Sequence, residues 1–186
     1  MEDMFEGLHK GLGVPEMAVQ PPESFYTTAG MTTDEDLVSL WRQDGWARYG
    51  QGLFWTVDPG RFADLNQEWP IVPRGALVFG RGAFSSLFLL HQGQVLHLDA
   101  QWNRLAKLGP SSYVFLNDSV ADAEFQKTIL DRELFNKVRE KAGDLAADEC
   151  YGLFPALPLG GNDEDPNGYQ RVKLREYLAI LGQAHG

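Results

Sequence analysis

Between residues 76 and 108 the chain carries four short apolar runs separated by turn residues, and this block restricts the fold more than any other feature. The runs fall at 76–80, 87–91, 95–99 and 104–108. Each has the length of a strand and is too short for a three-turn helix. Gln92-Gly93-Gln94 supplies a turn that would join the middle pair as a hairpin. Helix formers dominate 118–142, with Phe125, Ile129, Leu134, Phe135 and Val138 as the expected buried positions. A last helix is expected over about 169–183, burying Val172, Leu174, Tyr177, Leu178 and Leu181. Strands clustered between helical blocks imply an α+β fold, with helices packed on a mostly antiparallel sheet.

Upstream of the strand block, residues 11–34 read as an irregular segment punctuated by Gly11, Gly13, Pro15, Pro21, Pro22 and Gly30. A helix should follow, capped by Thr33, with Asp34, Glu35 and Asp36 in its first turn where the helix dipole favours negative charge. Leu37, Leu40 and Trp41 give it an apolar face, and Gly45 ends it. Residues 49–58 read as a glycine-rich turn feeding a strand. Asp58-Pro59 then caps a second helix that carries Phe62, Leu65 and Trp69. Pro70 and Pro73 mark the best boundary between two small subdomains, 1–72 and 73–186, and 150–168 reads as loop.

Charge narrows the functional classes. The 186 residues carry a formal charge of −10, which disfavours direct nucleic-acid binding, because neutralising phosphates requires Lys and Arg. The complementary partner for such a chain is basic. Residues 1–70 hold 12 acids against 4 bases, whereas 71–186 hold 14 against 12, so the excess sits in the first part. No apolar run approaches the ~20 residues of a membrane span. The start, Met1-Glu2-Asp3-Met4, lacks the basic-then-apolar pattern of a secretory signal. With Cys150 as the one cysteine, these features give a cytoplasmic expectation.

Within 41–59, Gly45-Trp46 is followed by Tyr49-Gly50-Gln51-Gly52, then Leu53-Phe54-Trp55, then Asp58-Pro59. This segment resembles the hallmark of the GAD-like domain. The later part resembles the C-terminal domain of type VI secretion immunity proteins. The matching pieces are Ala83-Phe84 through Leu87-Phe88, Gly152-Leu153-Phe154-Pro155-Ala156-Leu157-Pro158-Leu159-Gly160-Gly161, and the closing helix around Glu176-Tyr177-Leu178. One departure is Ser85-Ser86, where relatives more often carry a Gly-Asp type pair. The resemblance implies a protein that binds a cognate effector toxin, expected to be a DNase, and holds it inactive. The acidity of the chain adds the expectation that this toxin has a basic surface, and the lack of a catalytic motif that the chain is no enzyme. The residues themselves give the expectation of no cofactor, no metal, no direct nucleic-acid contact and no membrane span.

The candidate partner-binding residues are Asp34, Glu35, Asp36, Asp44, Trp46, Tyr49, Asp163, Glu164 and Asp165. The acids at 34–36 would meet basic residues of the toxin, although dipole complementation alone accounts for them. Glu2, Asp3 and Glu6 form a comparable set at the start of the chain. Among Trp41, Trp46, Tyr49, Phe54 and Trp55 a core role is the simpler one, with Trp46 and Tyr49 as the exceptions just past the helix stop. Asp163, Asp165, Asn167 and Gly168 reproduce the first half of a calcium loop, but position twelve is Leu174 where a bidentate Glu is required. The loop therefore reads as a solvated acidic segment. Two other classes remain. One is a ligand-sensing or regulatory module without a toxin partner. The other is a hydrolase using His97 and Asp99, which share a strand face, with His91 facing His97 across the hairpin. Cys150 has no basic neighbour in sequence to activate it.

Overall fold

The computed structural model describes residues 3–28 and 34–186. Thr33, the expected helix cap, and Glu2 lie outside the described residues. Among the described residues the helices are α1 (Glu6–Leu12), α2 (Glu23–Thr27), α3 (Glu35–Gln43), α4 (Leu65–Glu68), α5 (Ser112–Val114), α6 (Ala123–Thr128), α7 (Arg132–Ala142) and α8 (Leu174–His185). The strands are β1 (Glu16–Val19), β2 (Trp46–Tyr49), β3 (Phe54–Thr56), β4 (Leu77–Gly82), β5 (Ser86–His91), β6 (Gln94–Asp99), β7 (Arg104–Gly109), β8 (Glu149–Leu153) and β9 (Tyr169–Lys173). Strands β1 to β7 form one antiparallel sheet in sequence order, and β8 pairs with β9 as a separate ribbon. The fold is α+β, with helices packed on antiparallel sheet.

All four expected strands are present and the hairpin closes as the turn residues require. His91 pairs with Gln94, leaving Gln92 and Gly93 as a two-residue loop with φ of 51° and 75°. Positive φ at both positions matches the twist of the flanking strands. That register sets His97 opposite Phe88, so His91 and His97 do not face each other. At the preceding turn Ser85 adopts φ 61°, a conformation that glycine enters at lower cost.

The division at 72/73 falls between two hydrogen-bonded strands. Phe54, Trp55 and Thr56 of β3 pair with Gly82, Arg81 and Gly80 of β4, so the sheet runs through the expected boundary without a seam. One core spans it as well: Phe54 packs on Phe88 and Phe115 at ring separations of 5.7 and 6.3 Å. Asn117 adds a polar tie, because its side chain accepts from Gly7 N and donates to Met4 O, each at 3.1 Å. Gly7 and Gly11 lie on one face of α1, and a Cβ at either would collide with backbone at Asn117 or Ala121. Glycine is what lets α1 dock at backbone distance.

Several elements differ from the sequence expectation. The segment 11–34 contains part of α1, the edge strand β1 and α2, rather than only irregular chain. The helix expected after Asp58-Pro59 is a 3₁₀ turn over Pro59–Phe62, followed by the single turn of α4. Phe62, Leu65 and Trp69 are buried as expected. Residues 118–142 are divided between α6 and α7, with Asp131 between them at φ 52°. Residues 150–168 are not all loop, since Glu149–Leu153 forms β8. Its partner β9 takes Tyr169–Lys173, the stretch expected to open the last helix, so α8 begins at Leu174. The ribbon joins the main sheet through Tyr151 N donating to Ala83 O at 2.9 Å. Tyr177 fastens α8 beneath it, its hydroxyl accepting from Leu153 N at 2.9 Å and from Gln101 Nε2 at 2.7 Å.

Candidate partner-binding surface

Asp34 is the cap of α3. Its Oδ1 accepts from Leu37 N at 2.9 Å and from Ser112 Oγ at 2.7 Å. Structural duty thus accounts for much of this side chain. Glu35 is exposed and Asp36 half-buried. Desolvation, then the neighbouring charges of Asp34 and Glu35, raise the Asp36 carboxyl above its ordinary value. A cation offered from outside would relieve that crowding.

Asp44 and Tyr49 do not belong to the surface. Asp44 is 3 % exposed and Tyr49 is fully buried, because both close a polar cluster under α1. Tyr49 donates to Asp44 Oδ2 at 2.7 Å, and His9 Nε2 reaches the same oxygen at 2.7 Å. Trp46 is half-buried, with Phe25 set edge-on between it and Trp41 at 5.2 Å from each ring. Of the five aromatics in 41–55, Trp41, Tyr49, Phe54 and Trp55 are core. The core role expected for these aromatics therefore holds for four of the five, Tyr49 included.

The loop acids join a cleft that sequence spacing does not reveal. Asp163 and Glu164 line a cavity of about 700 Å³ together with Asp99 from the end of β6 and Asp131 from the α6–α7 break. Asp165 instead caps the next turn, accepting from Asn167 N at 2.9 Å. Desolvation, then Asp99 and Asp163, push the Asp131 carboxyl up to about 6. Asp99 is raised as well, chiefly by burial. Lys127 and Lys137 line the same cleft without forming an ion pair among the described residues, and Trp102 stands at it 48 % exposed. Among the described residues no trio of His, Cys, Asp or Glu side chains is placed to hold a metal ion. The arrangement can receive a Lys or Arg side chain, with an aromatic anchor alongside.

The hydrolase arrangement is incomplete. His97 and Asp99 do share the face of β6 that lines this cleft, but His97 Nε2 pairs with Ser86 Oγ at 3.1 Å. Burial pulls the His97 ring down to about 4, so it is neutral at pH 7 and a weak base. Cys150 is fully buried and desolvation pushes its thiol up to about 12, which removes it as a nucleophile. No helix among the described residues is long and apolar enough to cross a membrane.

Comparison with known proteins agrees with this architecture. The GAD-like domain family matches residues 3–100, and the family described as T6SS immunity protein Tdi1, C-terminal, matches 111–185. No curated protein sequence matches the chain. Among solved structures, the crystal structure of Atu4351 from Agrobacterium tumefaciens superposes with a TM-score of 0.78 at 16% identity, over 97% of this chain and 89% of that one. At that identity the likeness establishes the shared fold. The first family match spans more than half of the sequence and the second takes up most of the remainder, so the chain belongs to the GAD-like domain family and continues into a C-terminal segment of the T6SS immunity protein Tdi1 type.

Proposed function

We propose that this chain is a type VI secretion immunity protein that binds a cognate toxic effector, and that the effector is a nuclease neutralised through its basic substrate surface. The acidic cleft is the observation that carries the reading. Asp131, Asp163 and Glu164 come from the segment matched to the immunity family, and Asp99 faces them from the GAD-like segment. A nuclease site is built to attract polyanionic phosphate, so clustered carboxylates compete for the same cations. Glu35, Asp36 and Asp165 add carboxylates to the proposed contact; Asp44 and Tyr49 are left to the core, and Trp46 lines a cavity that shares no residue with the cleft. Inhibition needs no catalytic group of the chain's own; steric and electrostatic occlusion is sufficient.

Co-expression with the protein encoded beside it, followed by size-exclusion chromatography and a plasmid-cleavage assay, tests the reading. The expected result is a stoichiometric complex with suppressed DNA cleavage. Asp163→Lys with Glu164→Lys should slow association by about tenfold or more at low salt, with the effect shrinking as salt rises. A complex lacking any nuclease activity to suppress would discard the nuclease and keep the immunity role. Absence of a complex would overturn the immunity role for this chain.

A further inference from the structure

The acidic cleft holds more carboxylates than the chain itself neutralises. Asp99, Asp131, Asp163 and Glu164 come from the end of β6, the α6–α7 break and the loop before β9, and they converge on one cavity of about 700 Å³. Asp131 and Glu164 are exposed and Asp99 and Asp163 half-buried, so each is within reach of a group from outside. None of the four is in an ion pair among the described residues. Asp99 and Asp163 lie near enough to Asp131 for their charges to raise its carboxyl. In the same lining Gln101, 7 % exposed, donates Nε2 to the Tyr177 hydroxyl at 2.7 Å and leaves Oε1 without a donor.

Crowded carboxylates in a partly dry cleft favour an incoming cation, and two features select a guanidinium over an ammonium. The first is the spread of the acceptors over separate elements. A guanidinium presents a planar fork of N–H donors that can serve more than one carboxylate, whereas an ammonium is a compact point charge. Lys127 and Lys137 line the cleft, and neither pairs with a carboxylate among the described residues. The second feature is Trp102, 48 % exposed in the same lining. Arginine stacks on an indole face more readily than lysine does. The chain uses that pairing itself: the fully buried Arg81 lies 4.4 Å over Trp55, and Arg104 lies 5.1 Å over Trp102. Ile129 and Leu134 add an apolar wall suited to the methylene stem of a long side chain.

We propose that the cleft receives an arginine side chain of the effector, its guanidinium taken up by the Asp99, Asp131 and Asp163 carboxylates and its stem laid along Trp102. This inference rests on the immunity reading and names the group by which the effector is held.

Calorimetric titration of the purified full chain at low salt with agmatine and with cadaverine tests the cleft without the effector. The two dications match in charge and nearly in length, and they differ in one head, guanidinium against ammonium. Agmatine is expected to bind saturably at one site, at least about threefold more tightly than cadaverine. Asp131→Asn with Asp163→Asn should weaken it about fivefold or more without lowering the melting curve, since neither acid is in an ion pair. In the effector complex, Trp102→Ala should raise Kd about tenfold or more. Lys127→Gln with Lys137→Gln removes the cleft's own cations and should tighten the complex about threefold or more. Equal binding of the two dications, or an effector complex indifferent to Trp102→Ala, would overturn the proposal and leave the immunity role standing. Absence of any effector complex would overturn the immunity role, and this proposal with it.

Discussion

His9 Nε2 lies 2.7 Å from Asp44 Oδ2, and its other ring nitrogen lies 2.6 Å from Asp3 Oδ2. An imidazole that serves two carboxylates must donate from both nitrogens, so this ring is an imidazolium. Burial opposes the charge, but the hydrogen bonds to Asp3 and Asp44 outweigh it and the His9 pKa is raised. The bridge joins α1 to the end of α3 and, through Asp44, to Tyr49 on β2.

A raised histidine pKa stabilises the folded state fully below the unfolded value near 6.5, and that contribution is lost as pH rises through the folded value. His9→Ala should therefore cost about 1–3 kcal/mol at pH 6 and distinctly less at pH 9, as read by urea unfolding of both proteins at each pH. A cost that does not change with pH would mean that folding leaves the pKa of the ring unshifted.

Asp131 has the opposite sign. A carboxyl raised to about 6 makes the folded state less stable above that pH and relieves it as pH falls toward the ordinary carboxylate range. Asp131→Asn removes the charge and keeps a residue that tolerates the left-handed backbone at φ 52°. The side chain is partly in solvent, so the gain should stay below about 1 kcal/mol. The melting temperature should rise at pH 7.5 and match wild type near pH 3.5, below the ordinary carboxylate value. A variant less stable than wild type at both values would show that the carboxylate forms a favourable contact.

Backbone-distance docking of α1 makes Gly7 the most sensitive small residue in the first helix. Alanine is the better helix former, so in an exposed helix Gly7→Ala would stabilise. Here the added methyl meets the Asn117 backbone, and the substitution should destabilise by about 1–3 kcal/mol despite the propensity gain. Chemical denaturation decides the sign.

The strand block and the α3 helix were legible because local pattern determines them: Leu37, Leu40 and Trp41 repeat at helical spacing, and Gln92-Gly93 sets a hairpin. The β8–β9 ribbon was not, because Tyr169–Lys173 runs directly into α8 and shares its apolar spacing with it. Asp44 and Tyr49 read as surface residues because their partner, His9, lies 35 residues before Asp44. The acidic cleft was half legible. The loop acids stand out in sequence, whereas Asp99 and Asp131 reach them only through the fold, and nothing in the local sequence of Arg81 marks it as a buried cation.

The continuity of the sheet leads to a prediction about the two segments. A fragment covering 73–186 would retain β4 but lose β3, leaving the Gly80–Gly82 edge unpaired and the Phe54 ring missing from a cluster that includes Phe79, Phe88 and Phe115. An exposed apolar edge strand invites association with other chains. Removing a buried phenylalanine alone costs about 3–5 kcal/mol, a large share of a typical domain's stability. The fragment should therefore elute as aggregate and melt without a cooperative transition, while the full chain melts in one step by circular dichroism. A monomeric fragment with a sharp transition would establish the proline-rich break at 70–73 as a true domain boundary. It would also mean that β3 is an addition to a sheet that closes without it.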